Sequence, residues 1–93
     1  MIIVCLEVEC IIYEAQSLKQ KRSTVKSIID RIKNSFNVSI AETDFQNVWQ
    51  RTKLVAVIVT NEYQHGERVL QQVQHLIDET PELDITMADM YRL

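Results

Sequence analysis

Lys53-Leu54-Val55-Ala56-Val57-Ile58-Val59-Thr60 is apolar at every position between its two polar ends. Four of those positions are β-branched, and no glycine or proline interrupts them. Such a short run reads as a central strand buried on both faces. On its N-terminal side, Asn37 to Asp44 sets Val38, Ile40, Glu42 and Asp44 against Ser39, Ala41 and Thr43. With few large apolar groups, that alternation suits a short strand at a sheet edge. The connector Phe45 to Arg51 joins the two strands.

On the C-terminal side, Asn61 is expected to cap a second helix whose apolar face is Val69, Val73, Leu76 and Ile77, with Leu70 beside it. Gly66, early in that helix, either weakens it or lets another backbone approach. Thr80-Pro81 ends the helical region, and Leu83, Ile85 and Met87 alternate with Asp84 and Thr86 in a last strand. The tail from Met87 to Leu93 shows no pattern.

The N-terminal half repeats this plan. Residues 2–12 carry Val4, Leu6, Val8, Cys10 and Ile12 on one face and Cys5, Glu7, Glu9 and Ile11 on the other, which predicts a strand. Ser17 is a predicted N-cap, and Leu18, Val25, Ile28, Ile29, Ile32 and Phe36 gather at helical spacing behind it. Lys21 falls inside this apolar arc, and its stem is expected to lie on the core edge with the ammonium in water. The order is therefore βαββαβ on a single domain, residues 1–93. It implies an α+β, ferredoxin-like fold: a four-stranded antiparallel sheet with two helices on one face and the other face open.

Composition removes several function classes. One glycine and one proline leave no phosphate-cradling loop and no flexible linker. The longest apolar runs, Met1 to Leu6 and Leu54 to Val59, cannot span a membrane, and the first does not form a signal peptide, so the chain is expected to be cytoplasmic. Cys5 and Cys10 are an odd interval apart and point to opposite faces, so they can share neither a disulfide nor a metal. His65 and His75 are separated by about 15 Å of helix rise and share no site. No cofactor, metal or small-molecule substrate is expected. Glu7 with Glu9, and Glu42 with Asp44, have the roughly 7 Å spacing of acid/base carboxylate pairs. They read more simply as solvated carboxylates, and no enzyme is predicted. Trp49 beside Phe45 reads as a lid on the end of a small core in preference to a base-stacking platform.

Net charge is −3, yet the charge is segregated. Lys19 to Lys33 holds six basic residues and one acid, while the remainder holds four basic and twelve acidic residues. Within that segment Lys19, Arg22, Lys26 and Lys33 fall at roughly 40° to 100° from Leu18, one flank of the apolar stripe. This ridge is the candidate surface for RNA or an acidic partner. The open sheet face is the second candidate. If Leu54, Ala56 and Ile58 face the helices, then Ile3, Cys5, Ile11, Val55, Val57 and Val59 lie on that face; with the reverse parity Leu54 and Ile58 do. Either set predicts a homo-oligomer, a dimer being favoured.

Ser17-Leu18-Lys19-Gln20-Lys21-Arg22, Phe36-Asn37-Val38-Ser39-Ile40-Ala41-Glu42, Asp44, Trp49-Gln50-Arg51 and Val59-Thr60-Asn61 together resemble the bacterial YlxP-like family of unknown function. The resemblance runs from the first strand to about Ile85 and implies the same ferredoxin-like fold. Members are often encoded near genes for translation initiation and for ribosome-binding factor A, which implies a ribosome-linked role. The family has no established activity, cofactor or catalytic residue to carry over. Thr43 and Phe45 depart from the family pattern around Asp44, where Val-Asp-His is expected, and remove a histidine. The expectation is a non-enzymatic accessory protein binding RNA or a ribosomal partner through the basic ridge. The alternative is a structural or regulatory homo-oligomer built on the open face.

Overall fold

Strands β1 (Ile2–Ile11) and β3 (Arg51–Thr60) pair antiparallel along their whole lengths and form the middle of the sheet. The structure, a computed structural model, describes residues 1–93. Strand β2 (Ser39–Asp44) flanks β3, and β4 (Asp84–Arg92) flanks β1, so the order is β2-β3-β1-β4 with every neighbouring pair antiparallel. The helices are α1 (Leu18–Ser35), between β1 and β2, and α2 (Tyr63–Asp78), between β3 and β4. This is the ferredoxin-like arrangement that the element order implied.

One buried cluster joins Val4, Leu6, Val8 and Cys10 of β1 to Leu54, Ala56 and Ile58 of β3. Val25, Ile28 and Ile32 of α1 and Leu70, Val73 and Ile77 of α2 complete it. Both helices therefore lie on the same face of the sheet. The parity of β3 follows: Val55, Val57 and Val59 point to the face without helices.

Local chemistry sets the ends of α1. Ser17 Oγ accepts from the Gln20 N–H at 3.1 Å, and Gln20 Oε1 accepts from the Gln16 N–H at 2.7 Å. Two backbone donors at the helix start are satisfied reciprocally, in the manner of a capping box. Helix α2 starts differently from the sequence expectation. Its N-cap position is Glu62, not Asn61, with no side-chain cap bond. The Glu62 N–H instead donates to Thr60 Oγ1 at 3.1 Å, so the strand's last side chain does the capping work.

The last strand is longer than its sequence pattern suggested, continuing through Met87 to Arg92. A register shift between Glu9 and Cys10 explains why. Cys10 pairs with Ile85 and Glu9 with Met87, which leaves Thr86 as the extra residue of a bulge. The bulge switches which alternate residues face the helices. Leu83 and Ile85 pack on the core before it, and Met90 after it, while Tyr91 is level with Cys5. A strict period of two cannot be read through such a switch.

Gly66 answers the ambiguity left by its position in α2. A Cβ placed there would stand 3.0 Å from the Cγ2 methyls of Thr60 and Val4 and 3.3 Å from that of Ile58. All three belong to β-branched side chains that cannot swing aside. Gly66→Ala gains up to about 1 kcal/mol of helix propensity but incurs overpacking of about 1–3 kcal/mol. A lower urea midpoint is the expected result; a raised one would show that the helix moves freely off the sheet.

Candidate nucleic-acid interface

Lys21 sits at a core-facing position of α1, and the structure corrects the expectation that its ammonium reaches water. The residue is 0% exposed. Its Nζ lies 2.6 Å from Glu42 Oε2 and donates to the backbone carbonyls of Phe45 at 2.8 Å and Gln46 at 3.3 Å. Thr52 Oγ1 donates to the same Glu42 oxygen at 2.6 Å. A buried cation is tolerable only with such a full set of partners. The effect is mechanical as well: α1, β2, the β2–β3 loop and β3 are tied at one point.

That knot holds the loop in a costly shape. Phe45 has φ 63°, the left-handed region that a bulky residue rarely adopts. Its N–H donates to Asp44 Oδ1 at 2.7 Å, its carbonyl accepts from Lys21, and the Arg51 guanidinium lies 3.9 Å from its ring centroid. The loop is also bonded to the β1–α1 connector, through Ile12 N–H to Gln50 O at 2.9 Å and Gln50 Nε2 to Tyr13 O at 3.1 Å.

Trp49 is not the core lid that its neighbourhood suggested. Half of it, 50%, is exposed, and Val48 and Tyr13 at the same end are exposed as well. The basic flank of α1 leads directly to this loop. Lys19, Arg22, Lys26 and Lys33 are all exposed. Arg22 Nη2 donates to Asn47 Oδ1 at 3.4 Å, which joins the flank to the loop two residues before Trp49. The flank is not purely cationic: Lys26 bonds Asp30 at 2.8 Å, and that bond raises the Lys26 pKa. Along the helix axis the four cations span about 21 Å.

The open face carries the other sequence candidates. Ile3 is level with Val59, Cys5 with Val57, Glu7 with Val55, Glu9 with Lys53 and Ile11 with Arg51. Val59 is 65% exposed, whereas Cys5 is only 3% exposed and adds little accessible surface. Glu7 and Glu9 are both ion-paired, to Lys53 at 2.8 Å and to Arg51 at 3.0 Å. Tyr91 also donates to Glu7. The bonds from Lys53 and then Tyr91 hold the Glu7 carboxyl below its ordinary pKa, so near neutral pH it is an ionised partner and not a proton donor. Tyr91 is shifted the opposite way, kept protonated by Cys5 first and Glu7 second.

His65 and His75 are exposed on α2, and no three His, Cys, Asp or Glu side chains converge in a metal-ligating group. No helix is long and apolar enough to cross a membrane. Cys10 is buried, and burial, reinforced by the charges of Asp84 and Asp78, pushes its thiol up to about 12. Because the unfolded thiol ionises near pH 8.5, stability from this group is lost as pH rises from about 9 towards 12. Urea midpoints should therefore fall above pH 9, and Cys10→Ala should flatten part of that decline.

The network around Lys21 escaped the sequence reading although its signal was there. Lys21 lies in the apolar arc, Glu42 alternates with Val38 and Ile40, and Thr52 precedes Leu54 and Ala56 on the core parity. Three polar residues at core-facing positions of three segments is a pattern that asks for a mutual partner.

Comparison with known proteins agrees with the fold. A designed protein with a ferredoxin fold, solved by solution NMR, superposes with a TM-score of 0.55 at 16% identity, covering 100% of this chain and 84% of that one. The uncharacterized protein YlxP of Bacillus subtilis (strain 168) is 46% identical over 82 residues, 88% of this chain and 89% of its own length. The family described as "Protein of unknown function (DUF503)" matches residues 3–90. The chain is thus a member of the DUF503 family, to which no function has been assigned.

Proposed function

We propose that this protein is a non-enzymatic accessory protein that binds single-stranded RNA through the α1 flank and the β2–β3 loop. The observation that supports the reading is the junction of the two. Four exposed cations, Lys19, Arg22, Lys26 and Lys33, line one flank, and Arg22 bonds a rigidly held loop that presents Trp49. Cations spaced along a helix suit phosphates, and a half-exposed indole suits an unstacked base, the two elements of single-strand binding. The knot at Lys21 fixes the indole relative to the cations before any ligand arrives, so little ordering cost remains on binding. A ribosome-linked role, implied by the family resemblance, fits an RNA ligand.

The direct test is titration of the protein with a short single-stranded RNA, read by Trp49 fluorescence at several salt concentrations. Quenching is expected, with log K falling against log salt at a slope of about −3 for four phosphate contacts. Trp49→Ala, followed by the anisotropy of a dye-labelled RNA because Trp49 is the sole tryptophan, should weaken binding by about 1–3 kcal/mol without altering that slope. Absence of binding at about 50 mM salt, where phosphate contacts are strongest, would remove the reading.

A further inference from the structure

We propose that the open sheet face is covered by a second copy of this chain, related by a two-fold axis running parallel to β1 and β3. The proposal is separate from RNA binding, because the helices and their basic flank lie on the opposite side and stay accessible in such a dimer.

The face is divided along the strands. At one end the central pairs Ile3–Val59 and Cys5–Val57 are apolar; the middle row sets Glu7 and Asp89 beside Val55, and at the other end Glu9–Lys53 and Ile11–Arg51 carry charge. A two-fold axis along the strands keeps each row level with itself and lays β1 of one copy over β3 of the other. Ile3 then meets Val59 across the interface. Glu9 meets Lys53, opposite charges, and the symmetry makes that contact twice. Glu7 lies over Val55 and Arg51 over Ile11, each keeping its ion-pair partner within the chain, Lys53 and Glu9. A two-fold axis across the strands, through the Glu7–Val55 row, would instead set Glu9 against Cys5, Lys53 against Val57 and Arg51 against Val59, desolvating charges on an apolar surface at a cost of several kcal/mol. The sheet edges agree with the first choice. Tyr91 of β4 and Ser39 of β2 are level with Cys5 and Val57, so the axis places the large phenol over the small serine.

Area decides how strong the dimer can be. Strands of ten, ten, six and nine residues, about 4.8 Å apart and rising about 3.3 Å per residue, give a face of roughly 550 Å². Two such faces bury about 1,100 Å², at the low end for a biological interface, so nearly all of the face must be covered. Packed sheets cross at about −30°, which keeps the central β1 and β3 rows in contact and lets the corners splay. Area alone does not set affinity, so the association is sought across the micromolar range.

Sedimentation of the full chain from about 1 to 100 μM tests this. The expected result is a shift from monomer to twice that mass across the range. Val59 is 65% exposed, so Val59→Lys should leave the monomer fold intact while weakening association at least about 10-fold. Val57→Arg, nearer the middle of the face, should abolish association, with far-UV circular dichroism reporting that the fold survives. If Val57→Arg does not fold, Val59→Lys decides alone. A parent that stays monomeric at 100 μM overturns the proposal. So does a dimer that persists in Val59→Lys, since it must form through a strand edge or the helices.

Discussion

Replacing Lys21 by methionine is expected to lower the thermal midpoint by about 12 °C, the largest single effect expected in this molecule. The change removes the counter-charge of Glu42, whose side chain is only 15% exposed, and the donor to the Phe45 and Gln46 carbonyls. Breaking a buried pair by deleting one partner costs about 3–5 kcal/mol, and each kcal/mol moves the midpoint of a domain this size by about 4–8 °C. The lower ends of those ranges apply because methionine keeps the apolar stem. Glu42→Gln added to Lys21→Met should restore at least about 1 kcal/mol, since the uncompensated charge is gone and an amide can still accept from Thr52. Thermal and urea unfolding of the single and double variants measure both quantities. A loss below about 1 kcal/mol for Lys21→Met would place the pair among exposed ion pairs and contradict the burial. The same variant reports on function: with the loop untied from α1, Trp49 emission should shift and RNA affinity fall at temperatures where the fold persists.

Reversing Arg22, Lys26 and Lys33 to glutamate together is expected to weaken RNA binding on the order of 100-fold or more and to bring the salt slope down towards about −0.7, one remaining contact. Three reversals change the net charge from −3 by six units, to −9, so a general field effect must be separated from a local one. Arg31→Glu, Arg68→Glu and Arg92→Glu make the same total change at exposed positions off the flank. That control should keep the slope and most of the affinity. Equal loss in both triple variants would mean that bulk charge, not the flank, governs binding. Lys26→Glu also puts a like charge four residues from Asp30 where an ion pair stood, a cost of only a few tenths of a kcal/mol in helix stability.

These two expectations concern adjoining parts of one structure but differ in how legible they were. The basic flank could be read directly, because helical spacing alone decides which residues share a side of α1. Trp49 could not be placed from its neighbours. Its exposure follows from a loop conformation set by Phe45 in the left-handed region and by bonds from residues far away in sequence, Lys21, Arg51 and Tyr13 among them. A long lysine side chain at a core position also has two outcomes, snorkelling outward or pairing inward. The choice depends on whether a carboxylate from another element is waiting. Glu42, twenty-one positions later, is that carboxylate.

The amino-acid order by itself determined the six elements, their succession and the core-facing side of each helix, because those depend on periodicities of about 3.6 and 2 within single segments. Pairing decided the rest. The bulge at Thr86 that lengthens β4, the close approach at Gly66, the buried Lys21–Glu42 contact and the row order of the open face exist only once distant segments are in register. Each is a relation between side chains far apart in the chain, and no local period encodes such a relation.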